Sequence, residues 1–543
     1  MLRKERATVT GGPRLLRRCG AIADVQYADA DDATDASGVH ARRYRSSLQA
    51  LRRACRAWRA LAEPSAHRPP PSPLTPSWTS YGTPDADPPG AGLPAAPVTC
   101  VLQLGDFIDA RSRFHAVRPR ATVAKLLKVI EEERGPAPAT WLHVLGNHEL
   151  CCFPRCDLAA LLRTRPTGAA HKPAWTDKAD ADGDAGIEDA ARAAVAAVAA
   201  SGAAWPDAAA VGGLGREYYA CRLAEGWWGI VLDPFDVSVV NPRVVVGRSA
   251  AAAHASASAS AAKHAASPVI AAHIAAPLPP RSPLTVPAAA PAASATDHAL
   301  AAKVSAAKAR AQALLEANSE GAAATGLARR WVEHNGAMGP AQLAWLRATL
   351  DAIAALPGVP VDGTAAGTAA GTAAAAADEI AAAADGSARL RPQRAVVMCH
   401  VGLRPGSLVD EDLLWNYGDA LHVLRPHLGR AVALVLQGHH HQGGLHSPVP
   451  TPTGRPHGAR FEDAAVAAAD GEFVAAVAAA NVETDAPFLT LPSPLELPAG
   501  DDAHATLDLF SDGSATVTGH GSLHAWRLAL PTRVLRIPPA PDP

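Results

Sequence analysis

The sequence has few aromatic residues, almost no net charge and no long uninterrupted apolar run. Aromatic side chains make up 5% of the 543 residues, and there are only 3 methionines. The formal net charge is −2, which gives no electrostatic basis for nucleic acid or an anionic membrane as partner. No stretch reaches the ~20 apolar residues of a membrane helix. The 8 cysteines are scattered, and the one adjacent pair, Cys151 and Cys152, fits neither a disulfide framework nor a zinc motif. A reducing, cytoplasmic setting is therefore expected. The basic start MLRKERATVTGGPRLLRRCG has no apolar centre and is not a secretory signal, although weak organellar targeting stays open.

Alanine is what the chain has in abundance. Hydrophobic residues are 48% of the total, but much of this is Ala. Five tracts read as insertions: 64–97, 165–212, 246–325, 358–390 and 447–485. They offer few large side chains to bury and cannot repay their ordering entropy, so they are expected to be loops or disordered segments without chemistry. Discounting them, residues 19–530 are expected to form a single domain rather than the roughly three or four that length alone suggests.

Between the tracts the pattern is α/β. Ala21–Ala23, VTCVLQLGD (98–106), WWGIVLD (227–233), RAVVMCH (394–400), AVALVLQGHHH (431–441), ATLDLF (505–510) and SATVTG (514–519) read as strands, and TWLHVLGNHE (140–149) as a strand with its loop. TVAKLLKVIEEER (122–134) reads as a helix with Leu126, Leu127 and Ile130 on one face. AQLAWLRATLDAIAAL (341–356), entered through Pro340, reads as another with Leu343, Leu346, Leu350 and Ile353 inward. Continuous apolar strands alternating with helices imply sheets covered on both faces.

A donor of metal-ligand type stands just past each of five strands. These are Asp24 with Gln26, then Asp106, then Asn147 with His148, then His400, then His439 with His441. Sites in α/β sheets form beyond the carboxyl ends of strands. Asp24 and Gln26, at i and i+2 of an extended chain, are expected on one face and able to reach one ion. GDFID places a carboxylate directly after Gly, GNHE pairs an amide oxygen with an imidazole, and GHHH sets two imidazoles at i and i+2. The set supplies ligands for two ions, which in a phosphoryl-transfer site sit roughly 3.5–4 Å apart.

The ordered set D-x-Q, GDxxD, GNHE, H and GHxH resembles the calcineurin-like metallophosphoesterase superfamily. With IADVQYAD, RRYRSSL, LDPFDVSV, LLWNYGDAL, GHHHQGG and LPSPLELPAG it is similar, over about residues 19–530, to the manganese-dependent ADP-ribose/CDP-alcohol diphosphatase family. The resemblance implies two packed β-sheets flanked by helices. It also implies a first metal on Asp24, Gln26 and His441, a second on Asn147, His400 and His439, and Asp106 bridging both. His148 would stabilise or protonate the departing phosphate oxygen, with Asp109 orienting it or capping a helix. An amide oxygen in place of an imidazole hardens the first site and suits the family's Mn²⁺, or Mg²⁺, better than Zn²⁺ or Fe. Tyr27, Asp29, Arg43 and Asn416 are candidate substrate contacts. Trp415 and Tyr417 are better read as core, and His440 as pointing away from its neighbours.

The implied activity is hydrolysis of ADP-ribose or of CDP-alcohols such as CDP-choline and CDP-glycerol. The implied partner is a small nucleoside diphosphate conjugate met by a monomer. A general phosphomonoesterase or phosphodiesterase, and a non-enzymatic scaffold on the same fold, are the alternatives.

Overall fold

The computed structural model describes residues 13–35, 38–62, 96–113, 119–135, 139–162, 179–201, 211–212, 218–240, 309–318, 325–360, 390–406, 408–446, 486–521 and 527–530. In chain order the elements that matter here begin with β1 (Leu15–Ile22), α1 (Tyr44–Ala60), β2 (Val98–Gln103), α2 (Pro119–Glu132), β3 (Thr140–His143), α3 (Asn147–Cys152) and α4 (Ala179–Ser201). Next come β4 (Val211–Gly212), β5 (Tyr219–Ala224), β6 (Trp227–Val231), α5 (Pro340–Ala355), β7 (Arg394–Cys399), α6 (Tyr417–Leu424) and β8 (Val432–Gln437). The chain continues with β9 (Gly444–His446), β10 (Phe488–Thr490), β11 (Ala503–Phe510), β12 (Ala515–Gly521) and β13 (Arg527–Leu530). The first strand starts well before the Ala21 read from sequence.

Two sheets carry the fold. One has the order β13-β12-β11-β1-β2-β3, the other β9-β10-β8-β7-β6-β5-β4. The central strands β1, β2 and β3 are mutually parallel, as are β6, β7, β8 and β10. Alternation along each strand divides the core into layers. Cys19, Ala21, Cys100, Leu102, Val396, Met398, Leu434 and Leu436 share the cluster between the sheets. Ile22, Val101, Val397 and Val435 point outward to join Trp58 of α1, Leu126 of α2 and Trp345 of α5. Both faces of each sheet are thus covered, which is why the strands read as unbroken apolar runs.

Some readings need correction. The buried stripe of α2 is Thr122, Val123, Leu126 and Val129, with Leu127 and Ile130 at its border; in α5 Leu343 is likewise at the border of the buried stripe. The tract 165–212 is not wholly loop. Residues 179–201 form α4, which packs on α5 and buries Ile187, Ala191, Val195 and Val198. Residues 309–318, also expected as loop, are helical and bury Ala311 and Leu315 beside Trp415. The other tracts lie wholly or largely outside the described residues, as does the start of the basic N-terminus. Among the described residues no helix is long and apolar enough to cross a membrane.

Candidate metal centre

The carboxyl ends of β1, β2 and β3 in one sheet meet those of β7 and β8 in the other. Asp24 and Gln26 follow β1, but not as extended chain: their φ angles are 49° and 42°. The expected strand-face argument is replaced by a turn of two left-handed residues. The Asp24 N–H donates to Gly105 O at 3.1 Å and the Gln26 N–H to Asp106 O at 2.8 Å, zipping the loops after β1 and β2 together. Asp106 (φ 53°) and His439 (φ 69°) are also left-handed, and among the described residues no other non-glycine is. Such conformations cost roughly 1–2 kcal/mol each and concentrate at functional sites. Glycine allows the close approach: a Cβ on Gly146 would collide with the Asp106 carboxylate, and one on Gly105 with the His400 ring.

The seven donors converge. His400 Nε2 is 3.2 Å from Asn147 Oδ1, 3.2 Å from His439 Nδ1 and 3.4 Å from Asp106 Oδ2. Gln26 Nε2 lies 2.9 Å from both Asp106 Oδ2 and His441 Nε2, and His441 Nε2 is 3.8 Å from Asp24 Oδ1. Asp24, Gln26, Asp106 and His400 are essentially fully buried.

Each imidazole has one nitrogen turned inward and the other fixed outside. His400 Nδ1 is 2.8 Å from the Leu104 carbonyl oxygen, His439 Nε2 is 2.9 Å from Asn335 Oδ1, and His441 Nδ1 is 2.6 Å from Glu496 Oε1. Carbonyl and carboxylate oxygens only accept, so the outer nitrogens carry protons, and in the neutral rings the inner ones present lone pairs. The Asn335 amide cannot be the other way round, because its Nδ2 donates to Arg330 O, Glu411 O and Leu413 O. This is the arrangement that orients imidazoles toward a cation.

Asn335, Glu496 and Glu149 were not singled out from sequence. Glu149 is buried, and its carboxylate accepts the N–H groups of Asp106 (3.0 Å), Ile108 (3.2 Å), Gly146 (2.9 Å) and Phe107. It thereby holds the GDFID turn against the GNHE turn. Its position three residues past Gly146 at the start of α3 was a legible capping signal. Asn335 and Glu496 carried no such mark, because their partners are more than fifty residues away in sequence.

His148 and Asp109 meet as expected. Nδ1 of His148 is 3.1 Å from Asp109 Oδ2, and Nε2 is 3.7 Å from Asp106 Oδ2. Asp109 Oδ1 meanwhile accepts the Arg111 N–H at 2.7 Å, so one carboxylate both caps the following turn and meets His148. Burial disfavours charge throughout the cluster, yet Asp106 and Asp109 outweigh it at His148, whose pKa is raised to about 9. Burial at Asp106 is outweighed by His148 and His400, which hold it well below the carboxylate range. At Asp24 burial prevails and raises the pKa to about 6.

The four expected substrate contacts are committed elsewhere. Tyr27 is in the core, where its backbone bridges to Ile108. Asp29 pairs with Lys125 (2.6 Å) and Arg45 (3.0 Å). Arg43 Nη1 donates to Glu496 O and Leu497 O, and the Asn416 amide is bonded at both ends to the Met338 backbone. Arg42, not Arg43, is within electrostatic reach of His148, Asp109 and Glu496. Trp415 and Tyr417 are buried, as read. His440 turns to Asp412, with Nδ1 2.7 Å from Oδ2.

The donor set fits two cations. Asp24 Oδ1 and Gln26 Oε1 are buried without a hydrogen-bond partner, which is costly unless something positive faces them. Asp106, His400 and His439 present donor atoms within 4.8 Å of one another.

The two packed sheets flanked by helices give the chain a calcineurin-like fold. It is similar to a dimetal phosphatase structure from Danio rerio, with TM-score 0.51 and 18% identity over 96% of this chain and 100% of that one. It is also similar to the manganese-dependent ADP-ribose/CDP-alcohol diphosphatases of Danio rerio (30% identity over 139 residues, 26% of this chain and 31% of that protein) and Bos taurus (29% over 136 residues, 25% and 29%). The chain thus spans about a third of the length of these curated relatives. No protein-family model matches it.

Proposed function

We propose that the chain is a dinuclear, Mn²⁺-dependent hydrolase. It cleaves the phosphoanhydride of ADP-ribose and CDP-alcohols to a nucleoside monophosphate and a phosphorylated sugar or alcohol. The observation that carries this reading is the set of three imidazoles whose outer nitrogens are all fixed and whose inner nitrogens face Asp106, Asn147 and Gln26. Asp24, Gln26 and His441 would hold one ion, Asn147, His400 and His439 the other, and Asp106 both. When bound, the ions supply a Lewis-acid clamp on the phosphoryl oxygens and a water acidic enough to attack near neutral pH.

His148 handles the proton. With both nitrogens protonated, Nδ1 donates to Asp109 Oδ2 at 3.1 Å and Nε2 faces Asp106. Once Nε2 has given up its proton, Nδ1 keeps its own and the bond to Asp109, so the ring can lose and regain the Nε2 proton without reorienting. Nε2, on the side of Asp106, delivers the proton to the departing phosphate oxygen. The relatives' names supply the substrates; the ligand set by itself supports only metal-dependent cleavage of a phosphoester or anhydride.

The test is a panel of ADP-ribose, CDP-choline, CDP-glycerol and p-nitrophenyl phosphate with Mn²⁺, Mg²⁺ or no added metal. The diphosphates are expected to be preferred, with Mn²⁺ required. Preference for the monoester supports a general phosphatase instead, and no turnover of any substrate would support a scaffold.

A further inference from the structure

A second cluster stands beside the centre, and the chemistry above does not use it. His334, Asp412 and His439 each bring one donor atom to within 4.8 Å of the others. Asp412 closes a short 3-10 turn, Asp410–Asp412, and His439 follows β8. The Asp412 carboxylate is anchored by one oxygen, since Oδ2 is 2.7 Å from His440 Nδ1. Oδ1 stands 4.0 Å from His439 Nε2. The His334 ring lies 5.5 Å from the His439 ring, and among the described residues its imidazole has no hydrogen-bond partner. Asn335 Oδ1, 2.9 Å from His439 Nε2, adds an oxygen at the same edge.

We propose that His334, Asp412 and the outer nitrogen of His439 form an auxiliary cation site that takes zinc-class ions and, when filled, inhibits the enzyme. Two imidazole nitrogens and one carboxylate oxygen are a borderline donor set, which favours Zn²⁺ over Mn²⁺ or Mg²⁺. The centre itself, with oxygens from Asp24, Gln26, Asp106 and Asn147, is harder. Selectivity between the two sites therefore follows from their ligands. A half-buried rim position leaves room for water to complete the coordination shell.

Inhibition follows from the shared histidine. A neutral imidazole offers one lone pair: when the auxiliary ion takes Nε2, the ring proton moves to Nδ1 and the bond to Asn335 is lost. That bond is what turns Nδ1 toward His400 and Asp106. A cation at the rim thus acts on the centre through a ligand of the centre, without entering it. The site stands on its own geometry; the inhibition rests on the hydrolase reading above.

The experiment uses the full chain loaded with Mn²⁺, dialysed to equilibrium against graded Zn²⁺, with bound metals counted by mass spectrometry. The parent is expected to take one zinc equivalent at this site while the manganese that shares His439 is held more weakly. His334→Ala and Asp412→Asn are expected to bind that zinc at least tenfold more weakly while keeping both manganese; two variants are used so that misfolding of one leaves the other to decide. Without zinc, Mn²⁺-dependent hydrolysis of ADP-ribose should be unchanged in His334→Ala, and zinc inhibition should weaken by the same factor as zinc binding. A parent with no extra zinc equivalent overturns the site. Equal zinc inhibition of parent and His334→Ala, with manganese released, overturns the inhibitory role. If the parent hydrolyses nothing, the hydrolase reading fails while the zinc count still decides the site.

Discussion

Glu149 Oε2 accepts the backbone N–H of Asp106 at 3.0 Å, although Glu149 is not among the seven donors. A buried carboxyl group serving four backbone donors is costly to disturb, because each buried N–H left unpaired costs roughly 1–3 kcal/mol. Glu149→Gln turns an amide NH₂ toward some of those donors. It is expected to destabilise the fold by about 2–3 kcal/mol, read as a lower midpoint in urea at unchanged slope. A midpoint within error of the parent's would remove Glu149 from the support of this turn.

Glu496 should act on the first metal alone. It fixes the outer nitrogen of His441 at 2.6 Å and touches none of Asn147, His400 or His439. Loss of such an outer partner typically weakens metal binding 10–100-fold. Glu496→Ala is expected to raise the dissociation constant of one manganese by that factor and leave the other unchanged in a calorimetric titration. Equal weakening of both would show a general rather than local effect.

Gln26 is expected to set the metal preference. Gln26→His supplies a softer donor from a left-handed position that His439 shows an imidazole can occupy. The variant is expected to bind two metals with its activity profile shifted from Mn²⁺ toward Zn²⁺ or Fe. Gln26→Ala should weaken one site only. Identical Mn²⁺ and Zn²⁺ profiles for parent and both variants would exclude Gln26 as a ligand.

The donors were legible because each stands directly after an apolar strand, where periodicity and ligand chemistry coincide. The manner of their meeting was not. Asp24 and Gln26 share a site through two left-handed residues, and nothing in IADVQYAD marks positive φ. Asn335 and Glu496 were invisible because an Asn in a loop and a Glu after a Pro-rich turn are ordinary until their distant histidines are in place. Helix α4 was missed for a different reason. An Ala-rich composition was read as unable to bury surface, yet Ile187, Ala191, Val195 and Val198 recur at helical spacing and that face is buried. Small side chains there let two helices approach closely, a contribution that a count of large residues ignores.

Stability should fall below neutral pH through His143. It is buried beside Gln103, Trp141 and Phe107, and burial lowers its pKa to about 4, against the ordinary 6.5. The unfolded chain therefore binds a proton between those pH values that the folded chain refuses. The fold keeps its full stability above about pH 6.5 and loses it progressively as the pH falls to about 4, by roughly 3 kcal/mol in total. His143→Asn keeps a donor for Gln103 but does not titrate. The difference in melting temperature between parent and variant is expected to change across that window in the variant's favour; a constant difference would exclude His143 as a source.

The donors of the centre are spread along the chain from Asp24 to His441 and come from both sheets. The tract 447–485 shows the consequence: it leaves from β9 and returns at β10, which are neighbours in one sheet. For a flexible loop with fixed ends, each doubling in length costs only about 0.6 kcal/mol. On that scale an insertion of 80 residues, the length of tract 246–325, would cost little, provided that it leaves the strand ends alone. A fold organised in this way tolerates growth between its strands, and chains of very different length can be built around the same seven side chains.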